Sequence, residues 1–312
     1  MLIQYRGYNK PDTNDMCVAV CYFSPLKYIQ PLYNLRAFLN ELSTYNIPYY
    51  VIELLYPNQT QKIPNSIIVR ANTVSFVKEN LWNILETHIP DKYTKVAFMD
   101  GDVLYTDPNW FDKTSELLDN HDCGMIHEYV YQDSRFKEQD HHAQQENLLI
   151  AVTKIFQDTS IPWWKFHPGF SIAINRDFYH RIKKFYEYAI TGYGDVLFWW
   201  SFIPDNHPIE KKDCPCADFL TSCKFEQFNH MYKSYKENIL NLSSVDQLFY
   251  VPNNIAIHLF HGSRNHRYYN TRNGYVDGKV HTFKNQDGVI EINIDGPNTD
   301  LIQYWINRRE DD

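Results

Sequence analysis

The sequence predicts an α/β protein built on a Rossmann-type mixed sheet, mostly parallel, flanked by helices, in a single continuous domain with a C-terminal extension. Two observations carry this. Residues 16–23 and 96–99 are apolar without alternation, the pattern of strands buried on both faces. The segments between them read strand, helix, strand, strand, helix, strand, the order of an open sheet with crossover helices.

The first strand, 16–23, stops at Ser24-Pro25. Leu32, Leu35, Leu39 and Leu42 recur at three- and four-residue steps and predict a helix, which Asn46-Ile47-Pro48 closes. A second strand covers 49–55, with Glu53 near its carboxyl end, and a short third covers 67–70, ending on Arg70. Val77, Leu81, Ile84 and Leu85 give one apolar face to a helix over 74–89, and the fourth strand is 95–99. In open sheets of this kind ligands bind outside the carboxyl ends of the strands, where Ser24, Glu53, Arg70, Asp100 and Asp102 all fall. Beyond Asp107-Pro108 the pattern predicts a helix over 110–118, a strand over 123–127, a polar, partly helical stretch over 133–160 and a strand over 171–175. Helices over 176–190, 196–202 and 219–240 follow, then a strand over 255–261, a hairpin near 276–294 and a helix near 299–309. No internal repeat or flexible linker interrupts the chain.

Composition narrows the function. A chain of 312 residues with 44% apolar side chains buries a large core and is not disordered. A formal charge of −8 argues against nucleic acid or an anionic membrane surface as partner, because both call for a basic face. No apolar run reaches membrane-spanning length, and Met1–Tyr8 lacks the apolar core of a signal peptide, so a soluble, cytoplasmic protein is expected. The six cysteines do not form a disulfide framework. Cys214, Cys216 and Cys223, with His207, match no common zinc spacing and read as free thiols.

Two motifs carry chemistry. The fourth strand runs into Asp100-Gly101-Asp102, and side chains two apart on a strand share a face, so both carboxylates can aim the same way. Hard oxygen ligands of this kind suit magnesium, manganese or calcium, and Gly101 leaves room for a bulky anion to approach. The second motif is His258-Leu259-Phe260-His261-Gly262-Ser263-Arg264, followed by Arg267. On a strand, positions 258 and 261 face opposite ways, so both histidines reach one metal only if the chain turns after Leu259, and Gly262 supplies a turn residue. Adding imidazole to two carboxylates shifts the preference towards manganese, with Arg264 and Arg267 near bound phosphates. Trp163, Trp164 and Phe170 can stack on a sugar or pack in the core.

Together, Asp100–Asp102, Phe166-His167-Pro168-Gly169-Phe170, Gly194-Asp195 and 258–264 resemble a family of GT-A-fold glycosyltransferases of bacteria and large DNA viruses, with motifs similar to the β-1,4-galactosyltransferase-like group. The likeness extends through 73–81 and the closing Arg309-Glu310-Asp311. It implies a nucleotide-sugar-dependent transferase with Mn2+ (or Mg2+) held by Asp100, Asp102 and one or both of His258 and His261. Ser24, Glu53, Arg70 and Lys78, with Gly101, Gly262, Arg264 and Arg267, would line the donor, a UDP-sugar first of all. Trp163, Trp164, His167, Gly169 and Phe170 would face a glycan or other hydroxyl acceptor. Asp195, after Gly192-Tyr193-Gly194, matches the general base of inverting members, although it stands as one carboxylate where they carry an acidic cluster; a helix-capping role is the alternative. Residues 1–110 would then form a donor-binding half, 111–265 an acceptor-side half and 266–312 an extension packed on the same domain.

Two other readings fit parts of the pattern. A strand ending in Asp-x-Asp also describes haloacid-dehalogenase-like phosphatases using Asp100 and Asp102, although that motif normally ends the first strand of their fold. A non-catalytic sugar-binding module is the other.

Overall fold

The structure is a computed structural model of the chain and describes residues 15–132, 148–162, 165–205, 207, 226–262, 282–292, 307 and 311. The predicted α/β class is what it shows: a large mixed sheet flanked by helices. β1 (Met16–Phe23) lies near its middle. β2 (Tyr49–Leu55) and β3 (Ile67–Arg70) follow on one side and β4 (Lys95–Met99) on the other, all parallel. Beyond β4 the sheet continues with β10 (Ser171–Asn175), antiparallel to both its neighbours, then β6 (Cys123–Met125) and β11 (Leu248–Tyr250). The order reverses direction at β1, so the crevice between the carboxyl ends of β1 and β4 is where such a sheet accepts a ligand.

Period-two geometry splits β1 and β4 between two cores. Cys17, Ala19, Val96 and Phe98 face α2 (Lys78–Glu86), α5 (Arg176–Arg181) and α6 (Gly194–Trp200) through Leu81, Trp82, Tyr179 and Phe198. Met16, Val18, Val20, Ala97 and Met99 face α1 (Gln30–Thr44) and α3 (Trp110–Leu118) through Leu35, Phe38, Leu42 and Phe111. Each such aliphatic or aromatic side chain contributes about 1.5–3 kcal/mol by leaving water, and these two layers fix where β4 delivers Asp100.

A second sheet crosses the site: β5 (Val103–Tyr105), β12 (Ile255–His258), β7 (Tyr129–Gln132), β8 (Leu148–Ala151) and β9 (Phe166–His167), in that order. α4 (Val152–Gln157) and α7 (Glu226–Leu242) pack outside, and β13 (Thr282–Lys284) pairs with β14 (Ile290–Ile292) as the expected hairpin.

Several boundaries differ from expectation. The helix over 176–190 ends at Arg181, because Lys183 and Lys184 both adopt positive φ (63° and 76°), a left-handed pair that stops the helix. The helix over 74–89 shortens to Lys78–Glu86, and the strand over 255–261 stops at His258. The stretch 133–147, the cysteines at 214, 216 and 223, and most of the helix near 299–309 lie outside the described residues. No helix among the described residues is long and apolar enough to cross a membrane.

Candidate metal centre

The two aspartates after β4 part company. Asp100 is anchored by its own N–H, which donates to the Phe170 carbonyl at 2.9 Å. Asp102 is held by its carbonyl, which accepts from Leu259 N–H at 2.8 Å. That bond continues the β5–β12 pairing, in which His258 sits opposite Val103, so the register itself brings the histidine turn to the aspartate. The strand ends at His258, Leu259 N–H still bonds the Asp102 carbonyl, and the chain then bends away as the sequence requires, with Gly262 at φ 96°, a left-handed conformation that favours glycine. Both imidazoles thus reach one carboxylate: His261 Nε2 lies 2.8 Å and His258 Nε2 3.4 Å from Asp102 Oδ2, and the two nitrogens are 3.3 Å apart. Asp102, His258 and His261 are the one group of three or more metal-capable side chains among the described residues, with ligand atoms within 4.8 Å of one another.

One carboxylate oxygen and two imidazole nitrogens form a donor set suited to a divalent transition metal. Asp102 Oδ1 is buried with no hydrogen-bond partner among the described residues, the position in which a cation ligand would be satisfied. Burial opposes ionisation of Asp102, but His261 and then His258 outweigh it and hold its carboxyl well below the ordinary range.

Asp100 instead faces Lys78 at the start of α2, with Nζ 3.2 Å from Oδ1. The same ammonium lies 3.8 Å from Asp195 Oδ2 and 4.0 Å from Glu79 Oε1. A lysine this buried is uncommon without paired acids. Burial disfavours its charge, and Asp100, Asp195 and Glu79 together reverse that and raise its pKa. The alignment has a backbone cause: Phe76 N–H donates to the Ile190 carbonyl at 2.8 Å, tying the approach to α2 to the approach to α6. Gly192 (φ 103°) and Tyr193 (φ 74°) then aim α6 so that Asp195 meets Lys78. Asp195 Oδ1 also accepts Val196 N–H at 2.8 Å, but α6 already begins at Gly194 with Tyr193 in the N-cap position and no side-chain cap bond, so Asp195 lies in the first turn and is not the N-cap.

Glu79 is the functional-looking residue that sequence reasoning missed. It is 2% exposed and lies against Gly194, where a Cβ would come 2.1 Å from its Cδ. Gly194→Ala is therefore expected to lose about 1–3 kcal/mol of stability from overpacking, despite alanine's better helix propensity, as read by denaturant unfolding. Burial, reinforced by Asp195 and Asp100 against the opposing Lys78, pushes the Glu79 carboxyl up to about 7 from its ordinary 4.5. The folded state then holds more protons than the unfolded one between those values, so stability falls as pH rises through that window and stays lowered above it. Glu79→Gln removes the penalty. Its Tm should gain on the wild type by roughly 3–6 °C between pH 5 and pH 8, and parallel Tm curves would show that Glu79 is not the group responsible.

Phe170 links the two halves of the site. It takes φ 82°, stacks on His167 at 4.2 Å between ring centroids and meets His258 at 4.7 Å. A non-glycine residue in that region costs on the order of 1–2 kcal/mol, and such strain collects at functional sites. A Cβ on Gly169 would lie 3.0 Å from Asp195 Oδ2, so the glycine keeps the approach to that carboxylate clear.

Other expected residues fall differently. Ser24 Oγ accepts Tyr28 N–H at 2.8 Å and shapes the turn after β1. Glu53, expected beside a nucleoside, is fully buried, and its oxygens accept from Lys62 N–H, Ile63 N–H and Ser66 Oγ at 2.7–3.1 Å. It clamps the 62–66 loop and presents nothing to a ligand. Arg70 is exposed at the sheet edge, its backbone tied to Asp287 and Asn285. Gly101 packs closely, since a Cβ there would meet Leu35 Cδ1 at 2.6 Å. Trp163, Trp164, Arg264 and Arg267 lie outside the described residues.

No protein family and no curated protein matches the chain. Solved structures that resemble it include two of Drosophila β1,4-galactosyltransferase 7. One is a mutant in complex with manganese, UDP-Gal and xylobiose (10% identity, 93% of this chain and 98% of that chain, TM-score 0.37). The other is the catalytic domain with xylobiose (10% identity, 93% and 98% covered, TM-score 0.36).

Proposed function

We propose that the protein is a metal-dependent glycosyltransferase of GT-A-like architecture, moving a sugar from a nucleotide-diphosphate sugar, UDP-sugars first, to a hydroxyl acceptor with inversion. The observation that supports this most is the convergence of Asp102, His258 and His261 beside a lysine shared by Asp100 and Asp195. The site lies outside the carboxyl end of β4, where a sheet of this topology receives a nucleotide.

Asp102 and the two imidazoles would hold the cation, with manganese favoured over magnesium by the nitrogen ligands. When bound, such a cation supplies positive charge for the diphosphate as the sugar–phosphate bond breaks. Lys78 adds a second, fixed positive charge, and incoming phosphate oxygens would compete with Asp100 and Asp195 for it. Asp195 takes the proton of the acceptor hydroxyl as that oxygen attacks the anomeric carbon, across the gap that Gly169 leaves. His167 and Phe170 form the stacked surface beside it.

A thermal-shift screen against UDP-, GDP- and dTDP-sugars, with and without manganese, tests the proposal, because a ligand that binds only the folded state raises its stability. A manganese-dependent shift with one class of nucleotide sugar, and release of that nucleoside diphosphate on incubation, is the expected result. Hydrolysis of phosphomonoesters with no response to any nucleotide sugar would overturn it in favour of a phosphatase.

A further inference from the structure

The metal-binding turn is braced from outside the site by a helix whose own start is unusual. α1 has Ile29 at its N-cap position with no capping side chain, and no acidic residue in its first turn, so its leading N–H groups lack local acceptors. They find one at the far end of the chain. Ile29 N–H lies 2.9 and 3.0 Å from the Asp311 carboxylate oxygens and Gln30 N–H 2.8 Å from one of them, across 282 and 281 residues. One carboxylate thus caps the helix and meets the positive end of its dipole.

The next contacts lead inward. Gln30 Nε2 donates to Asn34 Oδ1 at 2.8 Å, which fixes the Asn34 amide with its nitrogen pointing at the turn. Asn34 Nδ2 then donates to the Phe260 carbonyl at 3.0 Å. Asn34 is 5% exposed, and asparagine is a poor choice for a buried helix position unless its amide is used. Phe260 directly precedes His261, and one residue earlier Leu259 N–H is held by the Asp102 carbonyl. The turn that carries the second imidazole is therefore pinned at two successive residues, by Asp102 on one side and Asn34 on the other.

We infer that Asn34 is a positioning residue for the metal-binding turn, and that Asp311, by capping α1, holds Asn34 in register from the opposite end of the chain. Groups that orient a metal ligand without touching the metal set its affinity, and here that support runs through a helix and the chain terminus. The inference rests on the metal site proposed above. It also gives Asp311 a task at the site, which the carboxylates and histidines alone do not suggest.

The test is manganese titration of the full chain followed by electron paramagnetic resonance, which distinguishes free from bound Mn2+ without any substrate, alongside thermal unfolding of the metal-free protein. Asn34→Leu fills the volume but removes the donor, and should weaken Mn2+ affinity about tenfold or more. Asp311→Ala, at the surface, should weaken it roughly two- to fivefold, in both cases with a broadened bound-manganese spectrum from a looser site. Because Asp311 is exposed, its variant decides the matter even if Asn34→Leu does not fold. Wild-type affinity and spectrum in the folded variants would overturn the inference while leaving the metal site standing. Absence of Mn2+ binding by the wild type would remove both.

Discussion

Asp102→Ala is expected to abolish manganese binding and the manganese-dependent part of thermal stability, and to cut turnover sharply. The carboxylate is the only acidic member of the trio, and it is what draws His258 and His261 together: both Nε2 atoms lie within 3.4 Å of the same oxygen. Without it, two imidazoles remain in a nearly buried turn with nothing to offset a dication. At manganese a hundredfold above its dissociation constant, the wild type should gain about 2.7 kcal/mol, on the order of 5 °C in Tm. The variant should show no shift, and release of nucleoside diphosphate should fall by about 10²–10⁴ if charge stabilisation of the leaving group is worth several kcal/mol. The same experiment with Asp100→Asn should give a smaller loss of affinity, because Asp100 is engaged with Lys78 and stands outside the trio. Equal losses from both would mean that the two carboxylates close on the ion together, as their spacing in the sequence first suggests.

Asp195→Asn separates chemistry from binding. Asparagine retains an oxygen to accept Val196 N–H, so the start of α6 should survive and folding should be near normal. What it loses is the ability to take a proton. Transfer to an acceptor should drop about 10²–10⁴-fold, while manganese affinity and the thermal shift with donor stay close to wild type. Near-normal transfer in a folded variant would remove Asp195 from the mechanism and leave it a helix-start residue.

How far the sequence alone reached follows from which signals are local. β1 and β4 are legible because strands buried on both faces must be apolar throughout, and their ends locate Ser24 and Asp100 directly. The turn after Leu259 is also legible, from the need to bring two histidines of opposite face to one point. The split between Asp100 and Asp102 is not, since it depends on Lys78 arriving from α2 and on the β5–β12 register, both set by long-range packing. Glu79 is hidden for a related reason. α2 is buried nearly all round, so the apolar stripe that identifies a helix says nothing about a carboxylate lodged under Gly194. Glu53 misled in the opposite direction: an acid at a strand's carboxyl end looks like a ligand contact until the 62–66 loop is seen folded onto it. Asn34 carries no sequence signal, and Asp311 only its place in the closing Arg309-Glu310-Asp311 of the resemblance, because a cap supplied from so far along the chain leaves no local pattern.

The central claim is that a divalent cation is held by Asp102, His258 and His261. Anomalous diffraction from crystals soaked in manganese tests it most directly. The account predicts an anomalous peak in direct coordination with Asp102 and both imidazoles; a peak lodged elsewhere, or none with those three side chains ordered, contradicts it.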